Sequence, residues 1–218
     1  MTRILIPSRG PEDWKQFLAD PKKQWKMGYS AMAAAYSWEA AKGLPMEIER
    51  VLGDGSELLL AIPEHKVALP GKGRESQCDV FCLTRRRGQV SAVAVEAKVE
   101  EPFGPTLAEW LSSASSNKSI RFAGLCRLLG CDATPPGHLR YQLFHRTAAA
   151  VIEAGRFNTE RAAMVVHSFS QERRWFDDFS AFCKFLGIAV KPETGHDYGL
   201  PDGRILTLGW ATGPSQSV

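Results

Sequence analysis

Gln77-Cys78-Asp79-Val80-Phe81-Cys82-Leu83-Thr84 and Val90-Ser91-Ala92-Val93-Ala94-Val95-Glu96-Ala97-Lys98-Val99 are two apolar runs joined by Arg85-Arg86-Arg87-Gly88-Gln89. Their length, their β-branched content and the glycine between them predict a β-hairpin. A strand sends alternate side chains to opposite faces, so Glu96 and Lys98 project together while Val93, Val95, Ala97 and Val99 pack the other way. Counting back around a turn at Arg87-Gly88 sets Asp79 opposite Glu96, at a cross-strand spacing of about 4.5–5.5 Å. Two carboxylates that close repel, and in an apolar strand they require a shared proton or a cation. A divalent ion such as Mg²⁺ or Mn²⁺ meets that need with one or two carboxylates, so Asp79, Glu96 and the backbone carbonyl of Ala97 are the candidate metal ligands. Lys98 is placed to orient or deprotonate a water and to stabilise charge developing on phosphorus.

Outward from this hairpin, the chain changes period several times. Pro11 with Glu12 and Asp13 signals a short helix to about Ala19, after an extended segment from Arg3 to Pro7. Residues 30–42, rich in Ala, Met, Tyr and Trp and stopped by Gly43 and Pro45, predict the first long helix. A short helical piece spans 46–52. Extended segments follow at 58–62 and 66–69, then the hairpin strands at 77–84 and 90–99. Helical period returns at 106–113, 118–129 and 139–154, with Pro135-Pro136-Gly137 separating the last two. Residues 162–169 read as a buried strand, 174–186 as an aromatic-rich helix and 205–210 as a final strand. The expected fold is α/β or α+β, with a central mixed sheet flanked by helices and a single domain over residues 1–218.

Composition narrows the function classes. The 218 residues are 44% hydrophobic and 23% charged, which is ordinary for a globular chain. No apolar run reaches the roughly 18–20 residues of a membrane span, and the apolar segment at the N-terminus is too short for a secretory leader, so a cytoplasmic protein without a membrane partner is expected. Five cysteines without CxxC spacing argue against a disulfide framework or a structural zinc site. The net charge of +3 announces no nucleic-acid partner by itself. Local clusters support one: Lys118 with Arg121 could follow a phosphate backbone, and Arg140 with Gln142 could reach phosphate or a base edge.

Asp79, sixteen intervening residues, and then Glu96-Ala97-Lys98 resemble the signature of the PD-(D/E)XK, or restriction-endonuclease-like, nuclease superfamily. The resemblance covers about residues 30–170 and implies an αβββαβ core, with the acid on the second core strand and the (D/E)XK on the third. It also implies an acid on the first helix, for which Glu39 in Tyr36-Ser37-Trp38-Glu39 is the first choice, ahead of Glu47 and Glu49. Cys78 stands where the signature has proline. By this resemblance the chain is a Mg²⁺- or Mn²⁺-dependent phosphodiesterase that hydrolyses DNA, or alternatively RNA, with activated water. The catalytic set is Glu39, Asp79, Glu96 and Lys98. Two rival expectations remain: a non-catalytic nucleic-acid- or protein-binding domain on the same fold, and an enzyme acting on a small phosphate-bearing molecule. A homo-oligomer is compatible with the sequence.

Overall fold

The structure, a computed structural model, describes residues 8–113, 115–131 and 134–215. The segment expected to be extended at Arg3 to Pro7 lies outside them. At the centre is the predicted hairpin: β2 (Ser76–Arg86) and β3 (Gln89–Lys98) pair antiparallel from Arg86↔Gln89 to Val80↔Val95. The two-residue turn places Arg87 at φ 50 and Gly88 at φ 82, the left-handed pair that matches the natural twist of a tight hairpin.

Around this hairpin the sheet grows to six strands in the order β1-β2-β3-β4-β6-β5. The edge strand β1 (Glu57–Val67) is antiparallel to β2. On the other side β4 (Arg161–Ser168) and β6 (Ile205–Thr212) continue parallel, and β5 (Gly195–Gly199) closes the far edge antiparallel to β6. The fold is thus α+β with a mixed sheet. The two segments expected at 58–62 and 66–69 are one strand. Pro63 does not interrupt it, because an edge strand can spare a ladder N–H. The strand β5, Gly195-His196-Asp197-Tyr198-Gly199, carries no apolar alternation, and it forms because β6 offers an open edge.

Helices cover both faces. On one lie α5 (Ser116–Leu129), α6 (Tyr141–Arg156) and α7 (Phe176–Phe185), with the short α4 (Leu107–Ser112) ahead of them. Leu143, Phe144, Ala148 and Val151 of α6 pack with Ala92 and Ala94 of β3 and with Phe179 and Phe182 of α7. On the other lie a 3-10 turn (Pro11–Phe17), α1 (Pro21–Gln24), α2 (Ser30–Ala41) and α3 (Met46–Leu52). Their Trp14, Ala34, Trp38 and Ile48 join Val93, Val95 and Ala97. Each such fully buried Val, Leu or Phe contributes about 1.5–3 kcal/mol of transfer free energy. The outer helices press closely: a Cβ at Gly209 would lie 2.2 Å from Val51 Cγ1. Among the described residues no helix is long and apolar enough to cross a membrane.

Candidate functional site

The alternation of faces reverses between Ile62 and His65 of β1 and between Phe81 and Cys78 of β2, and polar residues gather there. Ile62 and Phe81 pack towards the α6 face, so alternation sends His65, Val67, Cys78 and Ser76 to the other. All four nevertheless meet α6 or the core beneath it. The register runs unchanged from Pro63↔Val80 to His65↔Cys78, so the reversal of faces falls on Glu64 and Asp79, which lie between those pairs. Glu64 holds a left-handed φ of 52, a conformation that costs a non-glycine residue about 1–2 kcal/mol. The β2–β3 ladder ends here as well. Beyond Val80↔Val95, the Ala97 N–H donates to Asp79 Oδ2 at 2.6 Å instead of to a backbone carbonyl. A strand residue's N–H and C=O leave on the same edge, so the Ala97 carbonyl also points into the gap left by β2.

Glu96 and Lys98 sit on the α6 side of β3, 2% and 4% exposed. Lys98 Nζ donates to Glu96 Oε1 at 2.5 Å and stands 5.2 Å over the Phe103 ring. From α6, Gln142 Nε2 donates to the same oxygen at 2.7 Å, and Arg146 Nε donates to Glu96 Oε2. Arg146 Nη1 also donates to Ser76 Oγ at 2.9 Å, and that hydroxyl lies 2.9 Å from His145 Nδ1. Gln142 and Arg146 are one helical turn apart, so a single face of α6 delivers both to β3.

Charge divides unevenly over this cluster. Burial opposes ionisation of Glu96, but the Arg146 and Lys98 charges and their hydrogen bonds overcome it and hold its carboxyl at about 2. Asp79 goes the other way: burial, and then the charge of Glu96, push its carboxyl up to about 7 despite Arg146 and Lys98. Glu64 rises as well, through burial and the nearby Asp79, although Gln77 Nε2 donates to it at 2.7 Å. His145 is driven down to about 3 by burial and then by Arg146, and is neutral. One acid is saturated by two cations, while two further acids share what remains. Asp79 Oδ1 takes part in no hydrogen bond among the described residues.

No three His, Cys, Asp or Glu side chains among the described residues are grouped as a ready-made metal site. Asp79, with one unbonded oxygen, and the Ala97 carbonyl fit a hard divalent ion in kind, in a place where added positive charge would relieve Asp79; Glu96 would join them only by giving up its Lys98 hydrogen bond. Glu39 is not brought to them. It accepts from Ser8 Oγ at 2.5 Å and Trp14 Nε1 at 2.8 Å, and pins the 3-10 turn to α2. Glu47 is bonded to His167 on the opposite sheet face, and Glu49 accepts from the Gly55 N–H. Arg140 is likewise elsewhere: it pairs with Asp178, donates to the Gly104 carbonyl and lies 5.8 Å from the Trp175 ring. Gln142 faces Glu96 rather than an open surface. Lys118 and Arg121 do line a cleft, together with Tyr141 and His145.

Sequence reading missed Glu64, Ser76, His145 and Arg146. Arg146 left a trace, since a cation interrupts the apolar stripe of Leu143, Phe144, Thr147 and Val151 at the position one turn beyond Gln142. Glu64 left none, because its place depends on a reversal of faces shared by β1 and β2.

A family model described as a domain of unknown function, DUF6946, matches residues 7–215, and the chain belongs to that family. No curated protein and no solved structure matches it.

Proposed function

We propose that this DUF6946 chain is a metal-dependent nuclease hydrolysing phosphodiester bonds of nucleic acid, with DNA rather than RNA as the favoured substrate class. One observation carries the reading: Asp79, with its raised carboxyl and unbonded oxygen, stands beside the Glu96–Lys98 pair on adjoining strands. The element order α2, α3, β1, β2, β3, intervening helices and then β4 parallel to β3 supports a restriction-endonuclease-like core with one added helix. Asp79 and the Ala97 carbonyl would hold Mg²⁺ or Mn²⁺, joined by Glu96 once Lys98 turns from it. When bound, that ion supplies the positive charge that polarises a phosphate and acidifies water. Arg146 keeps Glu96 ionised, and Gln142 fixes its orientation. Lys98 directs its ammonium to the attacking water or to the charge growing on phosphorus. Glu39 has no part in this version of the site.

The test is cleavage of duplex and single-stranded DNA and of RNA with Mg²⁺ or Mn²⁺, alongside Lys98→Ala and Asp79→Asn. Each substitution is expected to lower the rate by about 10²-fold or more, the scale of losing one preorganised charge. Undiminished cleavage by both variants overturns the mechanism. The full engagement of Glu96 by Lys98, Arg146 and Gln142 favours a second reading, a binding domain in which these charges only hold α6 to the sheet. Salt-sensitive nucleic-acid binding without metal-dependent turnover would select it.

A further inference from the structure

Next to the candidate centre lies a cleft of about 360 Å³, between the loop after β1 and the start of α5. Four cationic side chains line it, Lys72, Arg74, Lys118 and Arg121, against the single carboxylate of Glu75. Two of these cations are held without any counter-charge. Arg121 is 7% exposed, yet its guanidinium meets only neutral groups, the Arg74 carbonyl at 2.6 Å from Nη1 and the Tyr141 hydroxyl, among its hydrogen-bond partners in the described residues. Lys118 Nζ donates to the Trp110 carbonyl and to Ser113 Oγ, both at 2.6 Å, and sits 5.1 Å over the Trp110 ring. Neither forms a salt bridge with a described carboxylate. Buried charge is costly unless paired, and carbonyl and hydroxyl dipoles orient a cation without neutralising it.

The loop is shaped around the guanidinium. Gly73 has φ 133, and a Cβ there would fall 2.9 Å from Arg121 Nη2; Gly71, at φ 76, lies against the Arg121 backbone. A glycine-bearing loop therefore wraps an arginine whose missing partner is an anion. We propose that this cleft binds the phosphate of a ligand about the size of one nucleotide, with Arg121 and Lys118 as its principal contacts. The volume falls at the lower end of small-ligand sites, and a guanidinium presents paired donors that match phosphate oxygens. The stacked rings of Trp110 and Tyr141, 3.8 Å apart at 10°, form a rigid wall rather than an open base platform, since Lys118 covers Trp110. The cleft meets the candidate centre through His145, which lines it and touches Ser76 beside Arg146. This site goes beyond the cleavage reading and stands without it.

Binding is measured by calorimetry in EDTA, with inorganic phosphate, a nucleoside 5′-monophosphate and a short single-stranded oligodeoxynucleotide as probes. At least one probe is expected to bind, about tenfold more weakly to Lys118→Ala and to Arg74→Ala, and unchanged to Arg85→Ala at the far end of the hairpin. Arg121→Gln should weaken it further; the exposed Arg74 position keeps the test decisive if the buried variant does not fold. Binding of the mononucleotide identifies a free ligand, whereas binding confined to the oligonucleotide identifies a unit of a strand, with a salt slope that falls by about 1 in Lys118→Ala. No binding of any probe, or equal binding by Lys118→Ala and Arg74→Ala, overturns the proposal. A failure of metal-dependent cleavage leaves this result untouched, because no metal is present.

Discussion

Two buried polar groups sit back to back across the end of β3 and β4, and they differ in how their charge is balanced. On the α6 face, Glu96 is gripped by Lys98 and Arg146, with Asp79 and Glu64 crowding the same space. On the α3 face, His167, fully buried beside Ala97 in register, meets Glu47 at 2.7 Å. A Cβ at Gly213 would come within 2.9 Å of His167 Nε2 and 3.0 Å of Glu47 Oε1, so the chain seals this pair. Burial alone therefore does not mark a reactive place. The sealed pair is one acid to one base, whereas the α6-side cluster leaves two acids raised and one carboxylate oxygen unbonded. Unbalanced charge is what a ligand can exploit.

The sharpest way to break this contrast is Glu96→Gln. It leaves Arg146 and Lys98 buried without their shared counter-charge, and a loss of about 3–5 kcal/mol in urea unfolding is expected. A loss below 1 kcal/mol would mean that the cations find other partners and that the cluster is not organised around Glu96.

Asp79→Asn should act in the opposite direction. The folded-state carboxyl is raised from 3.8 to about 7, so the contribution of Asp79 to stability is fully present below about 4 and is lost as pH rises through 7. At pH 8 without divalent ions the asparagine variant is expected to be more stable by on the order of 1–2 kcal/mol, with the difference closing at pH 4. Equal midpoints at both pH values would remove the strained acid from the account. Adding Mn²⁺ at pH 6 should release protons from the wild type and fewer from the variant, a readout free of catalysis.

The smallest effect belongs to the sealed pair. Glu47→Gln keeps a hydrogen bond to His167 and gives up only its charge, so a cost of about 1 kcal/mol is expected, with nucleic-acid cleavage unaltered. A drop in cleavage comparable to that of Lys98→Ala would join the two faces into one site and end the distinction drawn between them.

Much of this architecture is written locally. The alternation in Val90 to Val99, the Arg87-Gly88 turn and the glycine and proline stops bounding residues 30–42 depend on near neighbours, and each produced its element at nearly the expected place. Glu96 and Lys98 share a face through the same period of two, and Asp79 comes directly after the last ladder pair, Val80↔Val95, where its carboxylate takes the Ala97 N–H. The helix acid did not follow. Glu39 lies on the first long helix, as expected, but helix position fixes neither rotation nor docking, and Trp14 and Ser8 take its carboxylate.

The sequence alone thus determined the strand and helix order and placed two acids and an amine near one strand end, because periodicity and turn chemistry are short-range. Tertiary structure decided which charges neutralise which. Arg146 reaches Glu96 from fifty residues away, Glu64 enters only through a reversal of faces shared by two strands, and Arg121 becomes a buried cation only when the loop carrying Gly71 and Gly73 folds over it. Electrostatic balance depends on distances in space and on burial, and neither is a property of neighbouring residues along the chain.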